Sequence, residues 1–578
     1  MKTNGAGLIV KLLERQGITT IPGIPGGASL PLYDALHGSA IRHVLARHEQ
    51  GAGFIAQGMA RSTGTPAVCL GTSGPGATNL LTAIADAKLD SIPLVAITGQ
   101  VPRAMIGTDA FQEIDTYGLT IPITKHNYLV ASARELLDVV PEAFRIAASD
   151  RPGPVVIDVP KDVQTEGITV DEWPEPGRAA PAMPCPPDDI LRAAALLEDA
   201  RRPVLLIGAG VIAAGASELV QRLAEAGSIP VAATLLGLGA MPAYHPLFLG
   251  MVGMHAARAT NLILEECDLL VGLGVRFDDR ATGKAAEFCP RARIIHIDVD
   301  ASELGKIKTP TLGIQADVGE ALRVLVEAAT PRLRPMWAAR VATLRAAHPL
   351  AMPGADDVRR PYGLVRAVAA LAGEDAIVTS DVGQHQMWVA QAFPFLRPRQ
   401  WLTSGGLGTM GFGLPAALGA ALACPDRRVV CFTGDGSLLM NIQELATAVE
   451  ERVRVTVVLL DNAHLGLVRQ QQELFYGGRY HGSRFGAAPD FAAIARAFGV
   501  EAYDLATTSH PAALLARSLE ARGPCLIRIP IAAEANVYPM VRPGGPNREM
   551  IDHDSAAPET PAPDADRSNG GYDARPIC

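Results

Sequence analysis

Short apolar runs rich in β-branched residues alternate with helical stretches along most of this chain, which restricts it to parallel sheets covered by helices. The order is plainest near the amino terminus. Residues 67–70 read as a strand, Gly71-Thr72-Ser73-Gly74-Pro75-Gly76 as a turn, 78–88 as a helix and 93–98 as the next strand. The rhythm returns in two later blocks, with strands at 204–207, 269–271 and 294–297, then at 377–379, 429–432 and 455–460. At 578 residues the chain has room for three such units. We expect an α/β protein of three doubly wound parallel-sheet domains, at 1–170, 188–335 and 360–550, the first and third alike. The proline-crowded stretch 171–188 should form no regular element. The Pro-, Ala-, Asp- and Ser-rich residues 554–578 should form a disordered tail.

Composition excludes several function classes. A net charge of -9 with no basic stripe argues against nucleic acid as a partner. No apolar run reaches the roughly 18 residues that would span a membrane. Residues 1–15 lack the basic-then-apolar layout of a signal peptide. The eight cysteines are scattered, with no CxxC pair, as in a reduced, cytoplasmic protein.

The chemistry gathers at strand ends. Gly434-Asp435-Gly436-Ser437 follows the strand 429–432, where glycines let a phosphate approach the backbone and Asp435 offers a hard oxygen to Mg²⁺. Alone, that triplet is a common turn. One helix and one strand later comes Asp461-Asn462, and two adjacent strand ends point into one crevice. Glu49, in Arg47-His48-Glu49-Gln50, opens a helix, a place the helix dipole also favours for an acid. Gly405-Gly406-Leu407-Gly408-Thr409-Met410-Gly411 is a glycine-rich loop whose Met410 could equally be core filler. Gly208-Ala209-Gly210 is a partial dinucleotide fingerprint, weak by itself.

Together these segments resemble thiamine-diphosphate enzymes, and nearly the whole chain, to about residue 549, resembles the acetohydroxyacid (acetolactate) synthase catalytic subunits. The resemblance implies that Asp435, Asn462 and the carbonyl of His464 bind Mg²⁺, with no catalytic part for the His464 side chain. It implies that Gln384, His385, Gly434, Gly436 and Ser437 hold the diphosphate. Glu49 would then drive proton exchange on the cofactor's pyrimidine. Met410 would prop the folded cofactor, and the Gly408 carbonyl would accept the pyrimidine's amino hydrogen. Gly26, Gly27, Phe111 and Gln112 match active-site loops, where Gln112 and the Gly27 backbone would hold substrate oxygens. Pyruvate decarboxylases carry a His pair near Phe111-Gln112, which argues against simple aldehyde release. Glyoxylate carboligase lacks the catalytic glutamate that Glu49 supplies here.

Arg276-Phe277-Asp278-Asp279-Arg280 resembles the FAD signature of the biosynthetic synthases. Further flavin contacts implied by the resemblance are Arg151, Gly208, Thr234, Leu235, Gly253, Met254, His255, Gly274, Asp298 and Asp317. Lys161 is either near the substrate entrance or an ordinary surface lysine. Gln471 stands where most members place a Trp that favours 2-oxobutanoate over pyruvate as second substrate; bacterial isozyme I shares the Gln. The expected partners are therefore pyruvate and 2-oxobutanoate, a second copy of the chain (homodimer or homotetramer, with Glu49 and Asp435 of one site on different subunits) and a small regulatory subunit. The competing readings are a flavin-free catabolic synthase, another thiamine carboligase, and a nucleotide-dependent oxidoreductase or scaffold.

Overall fold

The computed structural model describes residues 1–553, so the tail at 554–578 lies outside the described residues. The first block holds β1 (Lys2–Asn4), β2 (Thr20–Gly23), β3 (Arg42–Leu45), β4 (Ala67–Gly71), β5 (Leu94–Gln100), β6 (His126–Leu129), β7 (Pro154–Pro160) and β8 (Gly167–Thr169). Six of these form a parallel sheet in the order β3-β2-β4-β5-β7-β6, while β1 and β8 pair antiparallel. The middle block holds β9 (Pro203–Ile207), β10 (Val231–Ala233), β11 (Phe248–Met251), β12 (Leu269–Leu273), β13 (Arg293–Asp298) and β14 (Leu312–Gln315), ordered β11-β10-β9-β12-β13-β14. The third holds β15 (Ile377–Ser380), β16 (Trp401–Thr403), β17 (Val429–Gly434), β18 (Val455–Asp461), β19 (Glu501–Asp504) and β20 (Cys525–Pro530), ordered β16-β15-β17-β18-β20-β19.

The first and third sheets thus share one strand order, and the middle sheet has the order of a dinucleotide-binding fold. In each, the chain's direction across the sheet reverses inside the sheet, between β2 and β4, between β9 and β12, and between β15 and β17; the first and third sheets also invert their last two strands at the edge. Ligands of open α/β sheets bind in the crevice at that point, beyond the carboxyl ends of the strands.

Strands β4, β5 and β7 are buried at every residue, as expected of strands covered on both faces. The helix read from the sequence at 78–88 runs from Pro75 to Asp90. Pro75 supplies a preset φ at the first turn and carries no orphan N–H, so the helix starts at the proline. The stretch between β8 and the helix Pro187–Asp199 has no regular element but is held: Arg15 donates to the Pro174 carbonyl at 3.1 Å. No helix among the described residues is long and apolar enough to cross a membrane.

Alternate residues of β17 and β18 feed two cores. Val430, Phe432, Val458 and Leu460 join a core continuous with the middle block, and Val429, Cys431, Val457 and Leu459 join one continuous with the first. The first–third contact is closest where the helix Glu49–Thr63 crosses the helix Gly413–Ala423. A Cβ on Gly58 would stand 2.1 Å from the Ala416 carbonyl oxygen, and one on Gly419 would stand 1.9 Å from that of Ile55. Neither obstacle can swing aside, because both are backbone. Gly419→Ala therefore forces the helices apart, and we expect it to cost about 1–3 kcal/mol, measured as a lowered denaturant midpoint of the transition that reports the first and third blocks.

Candidate active site

The β15–β17 crevice of the third block collects three of the sequence-derived groups. β17 ends at Gly434 and Asp435 opens a single helical turn, Asp435–Leu438. The Asp435 carboxyl is buried; Oδ1 accepts the Gly436 N–H at 2.9 Å, and Oδ2 has no partner. Burial, then the nearby charge of Asp461, pushes its pKa above the usual carboxylate range. Asp461 closes β18, and its Oδ2 pairs with Arg528 at 2.6 Å, so this second acid is committed within the chain.

Asn462 and His464 form a tight turn about Ala463, whose φ is +55°. The Asn462 Oδ1 accepts the His464 N–H at 3.0 Å and its Nδ2 donates to Gln384 Oε1 at 3.3 Å. His464 Nδ1 lies 2.7 Å from the Asn462 carbonyl, which occupies its side chain locally. Leu465 N–H bonds the Ser483 carbonyl at 2.8 Å and Phe485 N–H the Ala463 carbonyl at 2.9 Å, so residues 483–485 strap this turn.

Gln384 and His385 begin the helix Gln384–Ala392 beyond β15. Both are buried. Gln384 Nε2 donates to Gln470 Oε1 at 3.0 Å and to the Ala535 carbonyl at 2.9 Å. His385 Nε2 is buried without a partner, and burial lowers the ring's pKa to about 3, so it stays neutral. Ser437 Oγ donates to the Val382 carbonyl at 2.9 Å, drawing the β17 turn onto the β15 turn. Among the described residues no group of three or more His, Cys, Asp or Glu could hold a metal. One carboxylate, one carboxamide and one carbonyl are too few charges to bind Mg²⁺ unaided, but they suit Mg²⁺ that brings diphosphate oxygens with it. The unpaired Asp435 Oδ2 and His385 Nε2 are the orphaned atoms such a group would satisfy.

Next to this crevice runs the segment 404–413. Gly408 has φ +70° and nothing near its missing Cβ, Leu407 is 42 % exposed and Met410 is half-buried. The segment's far end is fixed by Asp381, which accepts Gly411 N–H at 2.8 Å and Gly413 N–H at 3.2 Å.

In the first block Glu49 starts its helix and is only 9 % exposed. Its Oε2 accepts Asn79 Nδ2 at 2.9 Å, while Oε1 lies beside Gly76. The preceding backbone is fixed by Glu444, whose Oε1 accepts the N–H groups of Arg47 at 2.9 Å and His48 at 3.1 Å. Gly26 lies against Thr72, and its N–H reaches Ser29 Oγ at 3.2 Å; Gly27 has open space around it. Gln112, at φ +60°, packs its backbone on Gly74, which brings it to the same turn. Its loop wraps on the Glu113 carboxylate, which accepts from Gly107, from Thr108 at 3.2 Å and from Ala110 at 3.0 Å. Phe111, the tip of that loop, is 88 % exposed. Lys161 is half-buried at the end of β7, and Gln471 is half-buried on the helix Gly466–Phe475.

The middle crevice is glycine-lined: Gly208, after β9, and Gly274, after β12 with φ +57°, nearly touch. Thr234 and Leu235 follow β10 beside it. Strand order and this glycine pair at the reversal point fit a dinucleotide such as FAD. Gly253 has φ +100°, Met254 N–H bonds the Arg280 carbonyl at 3.0 Å, and Arg276 borders Gly406. His255 Nδ1 sits 3.1 Å from the Pro539 carbonyl, and burial lowers its pKa to about 4. Asp298 is raised to about 6 by burial. Asp278 and Asp317 spend their carboxylates as helix caps, on Arg280 N–H at 3.0 Å and Gly319 N–H at 2.8 Å. Arg151 is held by Glu303 at 2.7 Å and Asp300 at 3.0 Å, and the Arg280 side chain is exposed beside Asp279.

Sequence reasoning missed Asn79, Glu113, Glu444, Gln470, Arg528 and the strap at 483–485. Each acts through a partner far along the chain or through a turn; Glu113 and Gln470 lie in segments that resemble the family's, but the sequence assigned neither a part.

Comparison with known proteins agrees with this geometry. Three family models match: the thiamine pyrophosphate enzyme N-terminal TPP binding domain over residues 3–119, the central domain over 190–325 and the C-terminal TPP binding domain over 381–529. The chain is 57 % identical to the acetolactate synthase isozyme 1 large subunit of Escherichia coli (strain K12), over 95 % of this chain and 97 % of that one. It is 47 % identical to the acetolactate synthase large subunit of Parasynechococcus marenigrum, over 95 % of this chain and 91 % of that one. It is 44 % identical to acetolactate synthase 1, chloroplastic, of Nicotiana tabacum, over 95 % of this chain and 84 % of that one.

An unpaired buried carboxylate costs stability until its ligand arrives. Asp435→Asn should stabilise the ligand-free protein by about 1–3 kcal/mol, seen as a higher melting temperature. It should also weaken Mg²⁺-dependent binding of thiamine diphosphate by about tenfold or more, seen by titration calorimetry.

Proposed function

Because this chain belongs to the thiamine pyrophosphate enzymes, and among them to the acetolactate synthase large subunits, we propose that it decarboxylates pyruvate and joins the two-carbon remainder to a second 2-oxo acid. Pyruvate as acceptor gives acetolactate and 2-oxobutanoate gives acetohydroxybutyrate, the first common step of branched-chain amino acid synthesis. Its cofactors are thiamine diphosphate, Mg²⁺ and FAD. The net reaction moves no electrons to a flavin, so FAD is structural here. The observation that carries this reading is the pairing of a buried, half-satisfied Glu49 with a second crevice whose Asp435 Oδ2 and His385 Nε2 lack partners.

Thiamine diphosphate, when bound, supplies the nucleophilic carbon and the electron sink for loss of CO₂. The chain's own residues supply the rest. Asp435, Asn462 and the His464 carbonyl hold Mg²⁺; His385, Gln384 and the Gly434–Ser437 turn hold the diphosphate. Asn79 fixes Oε2 of Glu49, and Oε1 is the atom that would be left to hold or give up a proton beside the bound cofactor. Met410 and the Gly408 carbonyl support that ring. Gln112 and the Gly27 N–H hold the oxygens of the 2-oxo acids. Phe54 and Ile55, buried on the helix that Glu49 opens, would help keep water from this region. Phe111 and Leu407 are exposed in the single chain, and a second copy covering them would complete the site, as a homodimer or a homotetramer. The functional units are 1–170 for the pyrimidine, 188–335 for FAD and 360–550 for the diphosphate and metal. The relatives' designation as large subunits supports a small regulatory partner.

Pyruvate consumption should require thiamine diphosphate and Mg²⁺, with acetolactate as product, and Glu49→Gln should lower kcat by about 10²–10⁴-fold. Turnover without thiamine diphosphate, or acetaldehyde as main product, contradicts the reading. With both acceptors present, Gln471→Trp should shift product toward acetohydroxybutyrate by about 10-fold or more, the worth of one methylene in an apolar pocket.

A further inference from the structure

The loop that carries Gly408 and Met410 is fastened by a buried charge cluster on the first block. Arg61, on the helix Glu49–Thr63, is buried and donates to Asp86 Oδ2 at 3.0 Å, to Asp90 Oδ2 at 2.8 Å and to the Thr403 carbonyl at 3.0 Å. Both acids lie on the helix Pro75–Asp90 and are buried. Each spends its remaining capacity on one short segment of the third block. Asp90 accepts Gly405 N–H at 3.0 Å and Gly406 N–H at 2.7 Å. Asp86 Oδ1 accepts Ser404 Oγ and Thr409 Oγ1, the latter at 3.1 Å, and Ser404 Oγ in turn accepts Thr409 N–H at 2.8 Å. The anchors fall at 404, 405, 406 and 409, with Asp381 taking over at 411 and 413. Leu407, Gly408 and Met410 are the residues left between the pins.

A buried pair of carboxylates sharing one guanidinium is a poor stabilising device. Two negative charges against one positive charge, in a site water does not reach, cost more than a well-packed apolar cluster would. The arrangement is warranted by geometry instead: two backbone N–H groups and two hydroxyls are aimed by fixed acceptors, at a loop held otherwise mainly at its ends, by Gln386 on the Ser404 carbonyl at 3.3 Å, by Asn441 on the Gly411 carbonyl at 2.8 Å and by Asp381.

We propose that Asp86 and Asp90, neutralised by Arg61, are positioning residues that set the Gly405–Met410 loop at the height where Met410 and the Gly408 carbonyl meet the thiamine pyrimidine. The inference rests on the cofactor assignment made above. It adds that the first block has a second, indirect part in the chemistry besides Glu49.

Thr409→Val deletes one hydroxyl from a half-buried residue and leaves every backbone anchor. Asp90→Asn keeps the shape but replaces one of two acceptors with a donor facing an N–H. Thiamine diphosphate affinity at saturating Mg²⁺, read by calorimetry, should weaken by about 10- to 100-fold in Asp90→Asn and about 5- to 10-fold in Thr409→Val. Thr409→Ser should restore the wild-type value. The KM for pyruvate at saturating cofactor should stay within about twofold while kcat falls, because the loop does not bind substrate. FAD content and the melting temperature of the ligand-free Thr409→Val protein should match wild type. Wild-type cofactor affinity in both variants overturns the proposal, as does a loss in Thr409→Val accompanied by an equal loss of melting temperature or left unrepaired by Ser. Failure of the wild-type protein itself to bind thiamine diphosphate overturns the cofactor assignment, and the proposal with it.

Discussion

Two helices cross with almost nothing between their backbones, and the site is hung from that crossing. Gly58 over Ala416 and Gly419 over Ile55 let the helices Glu49–Thr63 and Gly413–Ala423 approach as closely as backbones can. Phe54 and Phe412 fill the space beside them edge to face at 5.3 Å, and Arg61 lies over the Phe412 ring at 4.9 Å. One helix begins at Glu49; the other begins at the end of the Gly408–Met410 loop. A shift of either helix would move a reacting group. The rigidity is that of a close-packed interior, where a single added methyl has nowhere to go.

Against that stiff frame the third-block crevice is under-satisfied. Asp435 keeps one oxygen without a partner in a buried place, and His385 is held neutral with an orphaned nitrogen. A fold selected for stability alone would not keep either. Asp461 shows the contrast. It lies on the next strand in the same low-dielectric surroundings, yet Arg528 neutralises it and Asp504 shares that guanidinium at 2.8 Å. Of two neighbouring acids, one is spent on the protein and one keeps an oxygen without a partner. That division also bears on why an acid is tolerated beside Asn462 where a carboxamide is usual: its charge, felt at Asp435, is largely balanced by Arg528.

How much was legible follows from the range of each interaction. The Gly434-Asp435-Gly436 turn and the Asn462 turn were readable because local chain geometry makes them, and the alternation of elements announced parallel sheets. Strand order was not readable, since no local feature distinguishes β15 beside β17 from any other neighbour; the sheets' kinship was guessed from rhythm alone. The helix at 75–90 was read as beginning at Thr78 because the preceding glycines mask a proline's role at a first turn. Asn79, Glu444, Arg61, Asp86 and Asp90 stayed hidden for one reason. A polar residue inside a helix reads as surface until the partner, 25 to 397 residues away, is known.

The helix Pro75–Asp90 ties these points together. Asn79, near its start, binds Glu49; Asp86 and Asp90, at its end, hold the loop at 404–409. At 1.5 Å per residue the two functions are about 16 Å apart on one rod. If Glu49 serves a cofactor seated on a second copy while the loop serves the cofactor of its own copy, that rod joins two active sites. Fixed acceptors on that rod set the position of the 404–409 segment where a hydrophobic patch would only adhere, which is a reason for a chain to keep buried charges that cost stability.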